Sequence, residues 1–143
     1  MSRQTIFVLG LIGSILGIVG SIIWLFIGAY FFGAMVDYNF PDNAPLSDTA
    51  LGLGGVLSFF QSGLTISGFI ITLVKSTPSS LNNGLKNSGI WLLVVGIVCA
   101  VINLYNLVPT ALLIIAGALA MSLDKNEAKN GLDEEQSISM TIP

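Results

Sequence analysis

Four long apolar stretches, separated by short polar segments, dominate the pattern of the chain. They cover residues 6–34, 51–74, 88–104 and 107–123. A helix needs about 20 mainly apolar residues to cross a hydrocarbon core about 30 Å thick. The first stretch is longer than this, and tilt or continuation into the outer interface would accommodate the excess. The pattern therefore predicts an all-α, polytopic membrane protein that folds as a four-helix bundle.

The break between the third and fourth stretches has to be inferred, because residues 88–123 form one nearly continuous apolar region. As a single helix this region would be about 54 Å long, which is too long for one crossing. Pro109 has no N–H group and suits the first turn of a helix, and Asn106 is a residue type that caps such a turn. We therefore expect a tight hairpin at Asn103–Pro109, with both asparagines near the outer surface.

The polar segments complete the domain organisation. Residues 1–123 are predicted to form the transmembrane domain, and residues 124–143 a polar, acidic tail. The tail has few large apolar residues, so we expect it to be disordered or loosely helical; the alternative is a docking segment for a partner. Residues 75–87 are rich in Ser, Pro, Asn and Gly, which is typical of a flexible connector.

The composition supports insertion in a membrane. Charged residues make up 9% of the chain and hydrophobic residues 53%, whereas soluble domains have about 25% charged residues. The chain has no His, and Cys99 is its one cysteine, so an internal disulfide and a Cys/His zinc site are excluded. We interpret Cys99 as a small packing residue. Neither a cofactor nor a nucleic-acid partner is indicated.

The start of the chain resembles a signal peptide, since Arg3 precedes an apolar run. This run is much longer than the apolar part of a signal peptide, and it has no clear A-x-A cleavage site. We therefore expect residues 6–34 to be retained as the first helix.

The basic residues predict the orientation. Four crossings place all five of them on one side: Arg3, Lys75, Lys86, Lys125 and Lys129. The positive-inside rule assigns that side, and with it both chain ends, to the cytoplasm. The segment Asp37–Ala50 would then be an acidic outer loop.

Small residues recur at helical spacing in the first two stretches. In the first they are Gly10, Gly13, Gly17 and Gly20, and in the second they are Gly54, Ser58 and Ser62. Such rows let helix backbones approach closely in lipid. We predict that the first two helices pack through these rows, with binding of another protein or another copy as the alternative. The third stretch has a sparser set, Gly89, Gly96 and Ala100.

The apolar stretches contain no ionisable acid or base, and intramembrane ionisable residues are usually functional. This argues against a proton relay, a voltage sensor and a carboxylate-based hydrolase, so we expect a non-enzymatic protein. Gln61 lies near the middle of the second stretch, and its amide needs partners. We interpret it as making an interhelical hydrogen bond; the alternative is a polar path lined by Gln61, Ser62 and Thr65.

The glycine-rich first helix, Gly10–Gly20, the polar loop after it and the terminal pair Gly89–Gly96 and Pro109–Met121 resemble a known family. It is an uncharacterised family, a domain of unknown function, of small four-helix membrane proteins found mainly in Gram-positive bacteria. The likeness covers residues 1–123. It implies a location in the bacterial cytoplasmic membrane and supplies no activity or site.

These observations favour an accessory or interaction protein of the bacterial cytoplasmic membrane, such as a small subunit of a transporter or envelope complex. Its partners would be membrane lipids and either another membrane protein or further copies of itself. One alternative is a small oligomeric transporter or channel. Another is a protein that confers immunity or stress protection against membrane-active peptides.

Overall fold

The computed structural model describes residues 3–39 and 48–141, and these residues are almost entirely helical. The helices are α1 (Arg3–Asn39), α2 (Asp48–Ser76), α3 (Pro78–Asn83), α4 (Leu85–Ile102) and α5 (Leu107–Thr141), with a 3-10 turn at Leu104–Asn106 between the last two. The fold is therefore an all-α bundle, which confirms the predicted class.

The four long helices, α1, α2, α4 and α5, are each long and apolar enough to cross a membrane. In the bundle α1 packs against α2 and α5, and α4 packs against α5 and α2, whereas the two diagonal pairs scarcely meet. The helices thus stand at the corners of a square, with neighbours antiparallel. This is the up-and-down arrangement that short connections favour.

The surface and the interior of the bundle are the reverse of those of a soluble protein. Large apolar side chains such as Phe26, Phe60 and Val101 are exposed, while many Ser, Thr and Asn side chains are buried. Hydrocarbon solvates the apolar surface as well as a protein core would, so hydrogen bonds and close packing must hold the helices together. The buried polar residues are Ser14, Ser21, Ser58, Ser62, Thr65, Thr72, Ser76, Ser88, Asn103, Asn106 and Thr110.

The connector between α2 and α4 is ordered rather than flexible, so that prediction is wrong. Pro78 occupies the first turn of α3, where its fixed φ and missing N–H group are favourable. Leu81 is buried and joins the core. Ser88 of α4 donates to the Ser80 carbonyl oxygen over 3.2 Å. An apolar anchor and side-chain hydrogen bonds thus hold a segment whose composition is typical of a loop.

The predicted tail is helical, because α5 continues without a break to Thr141. Residues 125–134 are exposed along this extension. Starting a helix is costly and lengthening it is not, so the apolar part of α5 acts as the nucleus for the polar part. Gly131 is the one glycine or proline between residues 124 and 141, so little opposes the extension.

The helices on either side extend further into the predicted outer loop than the sequence indicates. Helix α1 continues to Asn39 and α2 begins at Asp48, so both ends of the segment Asp37–Ala50 belong to helices. Residues 40–47 lie outside the described residues.

Candidate functional site

The glycine row of α1 faces two different neighbours. Gly17 lies against the ring of Phe69, and Gly10 lies against Ser76, so these two glycines face α2. A side chain at Gly17 would overlap the buried Phe69 ring. The glycine therefore provides the space that the largest fully buried side chain of the bundle occupies.

The other two glycines of the row face the α4–α5 hairpin. A Cβ atom on Gly13 would lie 3.1 Å from the carbonyl oxygen of Pro109, and one on Gly20 would overlap Oδ1 of Asn106. At 100° per residue, Gly10 and Gly17 lie within about 20° of each other around the helix, as do Gly13 and Gly20, and the two pairs are about 60° apart. The four glycines thus contact two adjacent helices instead of the single neighbour that we predicted.

The N-terminal part of the small-residue row on α2 faces α1. A Cβ atom on Gly54 would overlap backbone atoms of Ala29 and Gly33, so the two backbones approach closely there. Ser58 Oγ lies within hydrogen-bond distance of the carbonyl oxygens of Trp24 (3.2 Å) and Leu25 (3.0 Å).

Ser62, the third member of this row, is buried, and its Oγ makes no hydrogen bond to any of the described residues. Of the two serines in this row, Ser58 is therefore the one whose hydroxyl bonds to α1.

Gln61 joins three segments of the bundle. Trp24 Nε1 of α1 donates to Gln61 Oε1 over 3.0 Å. Gln61 Nε2 in turn donates to the carbonyl oxygen of Ile102, the last residue of α4. That carbonyl lies at the end of a helix, where no intrahelical donor is available. The side chain thus makes the interhelical hydrogen bonds that the sequence indicated.

The indole of Trp24 also connects α1 to the α4–α5 turn. Its ring stacks on Tyr105 with 3.9 Å between centroids, and Phe32 meets it edge-on at 6.3 Å. Sequence reasoning did not single out Trp24. Its position within hydrogen-bonding reach of Gln61 depends on the register between α1 and α2, which no local pattern specifies.

The other predicted path residue, Thr65, bonds within its own helix. Its buried Oγ1 lies 3.0 Å from the carbonyl oxygens of both Gln61 and Ser62. Both Gln61 and Thr65 therefore form hydrogen bonds with groups of the protein itself. About two turns further along α2, Thr72 Oγ1 lies 2.8 Å from Ser14 Oγ of α1, which adds another buried link between these helices.

The two asparagines of the hairpin are buried within the bundle. Asn103 Oδ1 accepts a hydrogen bond from the Tyr105 backbone N–H over 3.2 Å and thereby starts the 3-10 turn. Its Nδ2 has no partner among the described residues.

Asn106 reaches across the bundle instead of serving only its own turn. Its Nδ2 donates to Ser21 Oγ of α1 over 3.0 Å. Because Ser21 lies at the middle of α1, the hairpin ends level with that midpoint, and α1 extends beyond it.

The α4–α5 interface is tight as well, although the small residues of the third stretch, which forms α4, appeared sparse in the sequence. A Cβ atom on Gly117 would lie 2.7 Å from the backbone nitrogen of Leu93, and one on Gly89 would lie 2.9 Å from Ala120 Cβ. Backbone contact at two glycines on facing helices is the close approach that stabilises helix pairs in lipid.

At the basic end of the bundle, Arg3 joins α1, α3 and α5. Its Nη2 lies 2.7 Å from Glu127 Oε2 and its Nε lies 3.3 Å from Glu127 Oε1, so the two side chains form a bidentate ion pair. Its Nη1 donates to Asn82 Oδ1 over 2.9 Å. The side chains are 38% and 46% exposed, so solvent screens the pair and its contribution to stability is modest.

These features define the class: an all-α bundle whose four long, apolar helices are compatible with an integral membrane protein. Comparison with known proteins gives no matching family model, no similar curated protein and no similar solved structure. The resemblance to a family of small Gram-positive membrane proteins therefore stays a prediction.

Proposed function

We propose that this chain is a non-enzymatic accessory protein of the bacterial cytoplasmic membrane, and that it binds a protein partner through the polar extension of α5. The observation that carries this proposal is the extension itself. It continues the α5 span as a regular helix, yet residues 125–134 are exposed. By the positive-inside rule, the distribution of the five basic residues favours a cytoplasmic position for the extension and both chain ends.

A partner would account for an exposed polar helix at this position. A helix that is polar on all sides buries little surface and gains little stability from its own chain. Here the first turns are braced through the contact of Glu127 with Arg3. A rigid arm that begins at the membrane surface presents its side chains at a fixed height and direction, which lowers the entropy cost of binding.

The hydrogen bonds of the interior favour this function over a solute path within one chain. Gln61 and Thr65, the residues expected to line such a path, bond to protein groups. Moving a solute past them would require those bonds to break in a medium without water, at a cost of about 1–3 kcal/mol for each unpaired group.

Site-specific photocross-linking in cells tests the proposal. A photoreactive residue at Leu132, which is 63% exposed on the extension, should form an adduct with one defined protein. The same residue at Val101, which is 77% exposed on α4, is the matched control and should not form that adduct.

A disrupted helix gives a second test of the same proposal. Ala128→Pro should break the extension and reduce recovery of the adduct about tenfold, because proline costs about 3 kcal/mol in a helix interior. Ala128→Ser keeps the helix and should leave the adduct unchanged. A chain that stays monomeric in mild detergent and forms no adduct at Leu132 would contradict the proposal.

A further inference from the structure

A cavity of about 200 Å³ lies at the basic end of the bundle, between the start of α1 and α3. Phe7, Pro78 and Leu81 give it an apolar wall, and Arg3, Gln4 and Asn82 stand around it. The cavity thus combines an apolar wall with neighbouring polar groups. Such a site suits an amphiphilic ligand, and its volume accommodates a short length of acyl chain.

The donors of Arg3 are only partly used. A guanidinium group has five N–H donors, and Arg3 directs three of them at Glu127 and Asn82. The other two have no partner among the described residues. Arginine binds phosphate through paired N–H groups, so a phosphate group can bind there while the bonds to Glu127 and Asn82 persist.

The charges around Arg3 narrow the choice of ligand. Glu127 pairs with it directly, and Asp124 lies near enough to stabilise its positive charge. One cation and two carboxylates repel a purely anionic headgroup and attract a headgroup that carries both a phosphate and an ammonium group. Carboxylate oxygens have spare acceptor capacity for N–H donors, and a quaternary ammonium group has no such donors.

We propose that this cavity binds a phospholipid with a primary-amine, zwitterionic headgroup of the phosphatidylethanolamine type. The phosphate pairs with Arg3, the ammonium group donates to the Glu127 and Asp124 carboxylates, and the upper part of one acyl chain packs against Phe7, Pro78 and Leu81. The site goes beyond the proposed partner-binding function, since it requires only that the chain lies in a bilayer.

Native mass spectrometry of the full chain, released from detergent, tests this directly. The protein is equilibrated with equal amounts of dioleoyl phosphatidylethanolamine, phosphatidylcholine and phosphatidylglycerol, so that only the headgroups differ. We expect the ethanolamine lipid to be retained about fivefold more than either of the others. Equal retention of the three lipids, or a preference for the glycerol lipid, would overturn the proposal.

Two variants with matched controls assign the preference to the site. Arg3→Gln should lower retention of the ethanolamine lipid about fivefold. Lys129→Gln removes an exposed cation on α5 and should leave retention of that lipid unchanged. Glu127→Gln should abolish the preference for the ethanolamine lipid over the choline lipid, and Asp133→Asn should keep it. If Arg3→Gln and Lys129→Gln behave alike, the cavity is not the site.

Free phosphoethanolamine separates a lipid site from a simple headgroup site. At the concentration of the lipid it should not displace the lipid, because it lacks the acyl chain that fills the cavity. Full displacement at equal concentration would show that the acyl chain adds nothing and would refute the amphiphile assignment.

Discussion

Two adjacent glycines on α2 show how strongly the environment of one residue depends on the helix packed against it. Gly54 faces the backbone of Ala29 and Gly33 on α1, whereas a Cβ atom on Gly55 would have no atom within 4 Å. Backbone atoms cannot rotate away as a side chain can. The first glycine is therefore required by packing, and the second is not.

Substitution of these two glycines gives a matched prediction. Gly54→Ala should destabilise the bundle by about 1–3 kcal/mol, because the added methyl group forces α1 and α2 apart. Gly55→Ala should be neutral or stabilising by up to about 1 kcal/mol, since alanine favours the helix. Unfolding of both variants in mixed micelles with increasing denaturing detergent measures the difference. Equal stabilities would show that the close contact is not needed.

Hydrogen bonds between elements set the relative heights of the helices. Gln61 on α2 fixes Trp24 of α1 and the carboxyl end of α4 at one level. Asn106 fixes the hairpin turn against Ser21 at nearly the same level. In lipid, apolar contacts alone discriminate poorly between sliding registers, so a few polar contacts are expected to determine the register.

Gln61→Leu should destabilise the bundle by about 1 kcal/mol, within the range of up to about 1.7 kcal/mol known for interhelical hydrogen bonds in membranes. The loss should also shift the fluorescence of Trp24, whose indole N–H loses its acceptor. Ser67→Ala is the control, because Ser67 bonds only to Gly63 of its own helix. In liposomes, neither variant should change solute flux; loss of flux with Gln61→Leu alone would favour the transporter alternative.

In the whole molecule, the two helical hairpins differ in length. Helix α1 continues from Trp24, level with the α4–α5 turn, to Asn39, which adds about 22 Å at 1.5 Å per residue. At the opposite end Arg3, α3 and α5 meet through direct hydrogen bonds, and α5 alone projects beyond them to Thr141. Helix α1 thus projects past the α4–α5 turn at one end of the bundle, and α5 projects past the basic end.

Cysteine labelling tests the orientation of the molecule. In a Cys99→Ala background, single cysteines at Ser79 and Leu132 should react with a membrane-impermeant maleimide only after the cells are opened, because both lie at the basic end. A cysteine at Asn43, between α1 and α2, should react in intact cells. Labelling of Ser79 and Leu132 from opposite sides would contradict four crossings with both ends inside.

The apolar stretches and the breaks between them were readable from the sequence because hydropathy and proline act locally. The break before Pro109 illustrates this, since α4 ends at Ile102 and α5 begins at Leu107. Gln61 could likewise be recognised as needing a partner, because a buried amide is costly wherever it lies. Its partner Trp24 could not be recognised, since 36 residues of intervening chain separate the two.

The sequence by itself determined the number of long helices in this protein and the apolar character that makes them compatible with a membrane, because both depend on composition over about 20 consecutive residues. Only the tertiary structure decided which neighbour each glycine faces, where along α1 the α4–α5 hairpin ends and that α5 extends as a helix beyond its apolar part. These features depend on the register between helices and on cooperative helix growth, and contacts distant in sequence determine both.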